Sequence, residues 1–149
     1  MGLGAGMTDD TKDAPHRLRF TFHEDRDILE VAYPSIMDAD AVAEAMGYMK
    51  TGRISSQGRA LIDLSDVEAI TLTSEDLVRF ANERARDFGD RSRTRQFNAF
   101  YGISDSTRPT LDAWTRFFPT GGGPVEMRLF EARHDAIYWL MGRKAQSEG

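Results

Sequence analysis

The chain contains no cysteine. That excludes disulfides, thiolate metal centres and cysteine nucleophiles together, and it suits a reducing cytoplasm. No apolar run approaches the roughly 20 residues needed to span a bilayer. There is no excess of positive charge: the formal net charge is −5. Non-specific binding to nucleic acid or to an anionic membrane surface is therefore disfavoured, since both depend on cationic surface. Histidine occurs only as His16, His23 and His134, too scattered to form a metal set, and no His-x-x-x-His pair is present. A Gly-x-Ser-x-Gly elbow is also missing, and the Gly121-Gly122-Gly123 run lacks the Lys-Ser/Thr of a phosphate-binding loop. No acid/base pair stands out, so neither a cofactor nor catalysis is expected.

What is present is ordinary for a soluble globular protein: 149 residues, 40% hydrophobic and 29% charged. That is one domain with enough chain for a core. Residues 1–16 begin Met1-Gly2-Leu3-Gly4-Ala5-Gly6-Met7. They lack the basic region and long apolar stretch of a secretory signal, and Gly6 stands where a myristoylation site would want Ser or Thr. A disordered leader is expected there, a folded domain over 17–144, and a frayed tail over 145–149.

From Arg17 the pattern is regular. Leu18, Phe20 and Phe22 alternate with polar residues, and so do Leu29, Val31 and Tyr33, across the polar stretch Glu24-Asp25-Arg26-Asp27. This predicts an antiparallel hairpin with one wet face, ended by Pro34. Asp38 caps a helix through about Lys50, with Val42, Ala45, Met46 and Met49 on one face. Ala60-Leu61-Ile62-Asp63-Leu64 is nearly all apolar, as in a central strand covered on both sides. Thr73-Ser74-Glu75-Asp76 starts a second helix burying Leu77, Phe80, Ala81, Ala85 and Phe88, which Gly89 stops. Phe97–Ile103 is the next strand. Ser104, Asp105 or Ser106 precedes a third helix with Leu111, Trp114, Thr115 and Phe118 inward. After the Pro119–Pro124 connection come a strand over 125–131 and a short helix with Ile137, Leu140 and Met141 on one face. The order ββαβαβαβα predicts an α/β fold. Its mostly parallel sheet has about five strands, opened by the antiparallel hairpin, with about four helices and right-handed crossovers.

Two passages resemble the SpoIIAA-like branch of the STAS (STAS/SEC14-like) superfamily. Ala60 through Ile70 looks like its central strand and turn. Glu126–Phe130 with Asp135–Leu140 looks like its closing strand and helix. The resemblance covers about Arg17 to Leu140 and implies a small non-enzymatic module. Relatives act as anti-sigma-factor antagonists or regulatory domains, and some bind small or lipidic ligands. The antagonists carry a phosphorylatable serine at the start of the helix after the central strand, in an Asp-Ser-Ser-Gly-like turn. The matching stretch here is Thr71-Leu72-Thr73-Ser74-Glu75, where hydroxyls remain at Thr73 and Ser74 but the Asp and Gly do not. Phosphate there would also sit beside Glu75 and Asp76, which repel it.

Thr73 and Ser74 are therefore either a helix cap or phosphoacceptors. Asp63, Ser65 and Asp66 after the central strand, with Ser104 and Asp105 after the next, would lie at the carboxyl edge of a parallel sheet. Ligands bind such edges, although turn and cap chemistry uses the same residues. Arg84, Arg86, Arg91, Arg93 and Arg95 are five arginines against Glu83, Asp87 and Asp90, a net of +2: a solvated helix end or an anion-docking site. Met37, Met46, Met49 and Tyr48 suit core packing, a small apolar ligand or a homodimer contact. The leading reading is a cytoplasmic regulatory or protein-interaction module binding through Asp63, Ser65, Thr73, Ser74, Ser104 and Asp105. The second is a carrier or sensor of a lipidic or small apolar ligand, which calls for an enclosed apolar pocket of several hundred Å3.

Overall fold

A computed structural model of the chain describes residues 17–88, 96–117 and 125–144. The leader, the tail, the Gly89 stop, Phe118, the Pro119–Pro124 connection and most of the arginine cluster lie outside the described residues, as do the side chains of Ala85 and Phe88. Strands β1 (Arg19–His23) and β2 (Ile28–Ala32) form the hairpin, with Phe20 opposite Val31 and Phe22 opposite Leu29. Asp27 closes its turn at φ 55°, in the left-handed region, and its carboxylate accepts hydrogen bonds from the Ser56 N–H and hydroxyl. There follow β3 (Ile36–Met37), α1 (Ala39–Thr51), β4 (Arg59–Asp63), β5 (Ala69–Ile70) and α2 (Ser74–Phe88). Then come β6 (Gln96–Tyr101), α3 (Arg108–Phe117), β7 (Val125–Leu129) and α4 (Arg133–Met141).

The main sheet has the order β1-β2-β4-β6-β7, and only the β1–β2 pair is antiparallel. Order along the sheet therefore follows order along the chain. Right-handed crossovers that step the same way each time put their helices on the same face. Helices α1, α2 and α3 share one face for this reason, packing Ala41, Ala45, Leu77, Leu111 and Trp114 over Leu29, Val31, Ala60, Ile62, Phe100 and Met127. Helix α4 follows β7, the last strand among the described residues. It folds under the opposite face, where Ala136, Trp139 and Leu140 meet Ile28, Leu61, Phe97, Ala99 and Tyr101. The strand β4 is buried on both sides, as its apolar run predicts.

Three details differ from the sequence expectation. The short strands β3 and β5 pair in parallel as a separate ribbon; two residues each are too few to leave an alternating signature. The inward face of α4 is Ala136, Trp139 and Leu140, spaced i, i+3, i+4, while Met141 falls off that stripe and is 42% exposed. The reverse face of the hairpin is not simply wet, because α4 and the end of β6 reach it.

Candidate functional site

The residues expected at the carboxyl edge divide into two groups. Asp63 ends β4, and its Oδ1 accepts the Ser65 N–H at 2.8 Å. Ser65 abuts Gly102, just past β6. Gly102 has φ +76°, and a Cβ there would lie 2.5 Å from Ser65 Oγ, so only glycine fits. Ser104 Oγ lies 3.0 Å from Thr107 Oγ1 and accepts the Thr107 N–H at 3.3 Å, closing the turn into α3, while Asp105 is exposed beside it. The second group is Thr73 and Ser74. Thr73 Oγ1 accepts the Asp76 N–H at 3.1 Å, and Asp76 Oδ2 accepts the Thr73 N–H at 3.0 Å. That is a reciprocal capping box, and the bond from Thr73 holds the Asp76 carboxyl below its usual range. Ser74 is exposed at the first residue of α2. Among the described residues no hydrogen bond joins the two groups, and the local bonds of Asp63, Thr73 and Ser104 satisfy turns and caps.

A polar cluster that sequence reasoning missed lies on the α4 face. The alternation of β2 turns Glu30 away from the three-helix side. Its carboxylate receives His23 Nε2 at 2.7 Å, the Tyr101 hydroxyl at 2.7 Å, and Arg133 Nη2 and Nε at 2.7 and 3.2 Å. The Glu30 side chain is only 13% exposed. Burial would raise its pKa, but the donors from Arg133, Tyr101 and His23 outweigh burial and hold it at about 2. Burial and the neighbouring Glu30 push the Tyr101 phenol well above its ordinary range, and Asp63 beside it adds to this. The hydrogen bond to Glu30 likewise raises Arg133. A carboxylate ionised at neutral pH with its oxygens engaged by several donors is a poor general base, and a phenol held this high is a poor nucleophile. The cluster is a clamp joining β1, β2, β6 and α4. Glu30 and Arg133 are 103 residues apart, and the one available signal was an acid within the apolar Ile28-Leu29-Glu30-Val31 run.

The three-helix face holds an apolar cavity of about 160 Å3, partly open to solvent. Its floor is sheet, with Leu29, Ala60, Ile62 and Phe100 among its residues, and its walls include Met46, Met49, Leu77 and Ala81. Two amides interrupt the apolar lining: Gln96 Nε2 donates to Asn98 Oδ1 at 3.2 Å. Tyr33 also lines it, its phenol pushed far up by complete burial and the nearby Glu44 carboxylate. Met37, Met46 and Met49, singled out in the sequence, all border this space. Among the described residues no three histidine, aspartate or glutamate side chains gather as a metal site would need.

No family model matches the chain, and no curated protein matches it. Among solved structures it is similar to an uncharacterized protein of the DUF3478 family with a SpoIIAA-like fold, from Shewanella loihica PV-4. The two share a TM-score of 0.54 and 17% identity, over 84% of this chain and 94% of that one. The fold is SpoIIAA-like, as the resemblance in the sequence implies. At that identity the likeness speaks for the fold alone. Among the described residues no helix is long and apolar enough to cross a membrane.

Proposed function

We propose that the chain is a non-catalytic regulatory binding module whose cavity takes a small apolar ligand. One observation carries this reading: the 160 Å3 apolar space on the three-helix face, bordered by methionines and carrying an amide pair. A dry apolar cavity of about 150 Å3 accepts a molecule the size of benzene. The space is smaller than the several hundred Å3 of a pocket for drug-sized ligands, so a compact ligand of one ring or two fused rings suits it. A longer ligand needs the flexible Met37, Met46 and Met49 side chains to move, which thioethers do at little cost. The Gln96–Asn98 pair offers a polar contact that favours a ligand with one hydrogen-bonding atom over pure hydrocarbon. The clamped state of Glu30 and Tyr101 supports the absence of catalysis.

Calorimetric titration with indole tests the proposal, together with native mass spectrometry of the purified protein for a retained molecule. Saturable one-to-one binding of indole, lost in Ala81→Leu with the fold intact, is the expected result. No heat of binding together with no retained mass contradicts it.

A further inference from the structure

On the opposite face, beside the last turn of α4, lies an open groove bordered by Arg128, Phe130, Asp135, Trp139 and Arg143. Trp139 is packed edge-on against Phe97 at 6.1 Å and tilted against Phe130 at 5.7 Å, which fixes its ring. Two guanidinium groups lie over that ring, Arg143 at 5.2 Å and Arg128 at 6.0 Å. Neither arginine forms a salt bridge among the described residues. Two donors in this cluster, Trp139 Nε1 and Arg143 Nε, are enclosed yet have no acceptor. Buried donors without partners are uncommon, and each calls for an explanation such as an absent ligand.

We infer that this groove binds an oxyanion, a carboxylate or phosphate group, through the Arg128 and Arg143 guanidinium groups beside the Trp139 ring. Cations and N–H donors gathered on one aromatic plate suit such a group, and guanidinium forks match its geometry. A helix C-terminus ordinarily repels an anion, because its last carbonyls carry negative charge. Here Arg59 offsets them: its Nε donates to the Arg143 carbonyl at 3.1 Å and its Nη2 to the Met141 carbonyl at 3.5 Å. The one acid among the groove's lining residues is Asp135, an exposed side chain 3.3 Å from His134 Nε2, against the two arginines. The site is on the far side of the sheet from the apolar cavity and does not depend on it.

The chain has two tryptophans, and they report separately. Trp114 lines the apolar cavity and Trp139 the groove. The test follows the two assigned indole N–H resonances by NMR during titration with inorganic phosphate, glutarate and an N-acetylated pentaglutamate peptide. Saturable movement of the Trp139 signal is expected, with the Trp114 signal still. The tightest of the three names the source as free phosphate, free carboxylate or an acidic peptide. Arg128→Gln with Arg143→Gln should weaken binding by about tenfold or more, and a spectrum otherwise unchanged shows that the fold is kept. The inference fails if the Trp139 signal does not move in a saturable way up to about 10 mM, below any useful affinity. It also fails if the double variant binds as the wild type does.

Discussion

The two faces of the sheet are built from the same strands and differ in almost every other respect. The side under α1, α2 and α3 has three helices and still leaves a cavity; the side under the nine-residue α4 closes tightly around Trp139 and Leu140. More cover does not mean better packing. Helix α1 presents small or flexible residues to the sheet, such as Ala41, Ala45, Met46 and Met49, whereas α4 presents Trp139 against Phe97 and Phe130. The α4 side is also pinned by the Glu30 carboxylate, which ties β1, β2, β6 and α4 together. The α4 face keeps its apolar interior closed and carries its groove at the surface, whereas the three-helix face has apolar room between helices and sheet.

Substitutions sharpen this contrast. Leu61, fully buried under α4, lines neither the apolar cavity nor the groove. Leu61→Ala should cost roughly 2–5 kcal/mol in chemical denaturation, because the removed volume becomes a new cavity. A loss below about 1 kcal/mol would mean that the α4 side is not the closed one.

Glu30→Gln removes the charge that His23, Tyr101 and Arg133 share. A loss of about 1–3 kcal/mol at neutral pH is expected, the usual cost of leaving buried groups poorly paired. The folded-state pKa of Glu30 lies near 2, below the ordinary 4.5, so ionised Glu30 stabilises the fold above pH 4.5. That contribution is lost as pH falls from about 4.5 toward 2. The gap in melting temperature between wild type and Glu30→Gln should accordingly be widest above pH 4.5 and shrink below it. A gap that does not change with pH contradicts the clamp.

On the cavity side, Met46 is half-buried and already borders open space. Met46→Ala should cost less than about 2 kcal/mol, the lower end of such changes in a filled core. Equal losses for Met46→Ala and Leu61→Ala would erase the distinction between the faces. The smallest effect is expected at Thr73, whose hydroxyl caps α2, one wall of the cavity. Thr73→Ala should lose about 1 kcal/mol in thermal or chemical melts, and recovery of phosphopeptides from this segment would restore the phosphoacceptor reading.

The order of the main elements was legible because each carries a local signal. Asp38 does cap α1, its Oδ1 accepting the Ala41 N–H at 2.9 Å, and the Ala60–Leu64 run is the doubly covered strand. The capping box at Thr73 was readable for the same reason: both partners lie within three residues. Neither face's character was readable. Glu30, Tyr101 and Arg133 each look like ordinary members of alternating or helical patterns, and only the sheet order brings Tyr101 and Arg133 within 3 Å of Glu30. The cavity has Ala45, Ala60 and Ala81 among its lining residues, and no local pattern encodes a space. Met37, Met46 and Met49 were a trace of it, equally consistent with plain packing. Asp63 ends β4, Thr73 precedes α2 and Ser104 follows β6, and all three are engaged in turns and caps, which short-range sequence already implies.

The central claim is that the three-helix face, and not the α4 face, receives a small apolar molecule. Methyl NMR of the methionines tests it most directly, because Met37, Met46, Met49 and Met127 line the cavity while Met141 borders the groove on the other side. Titration with indole should move the four cavity methyl signals in a saturable way and leave Met141 in place. Signals that all stay fixed, or a shift confined to Met141, would contradict the account.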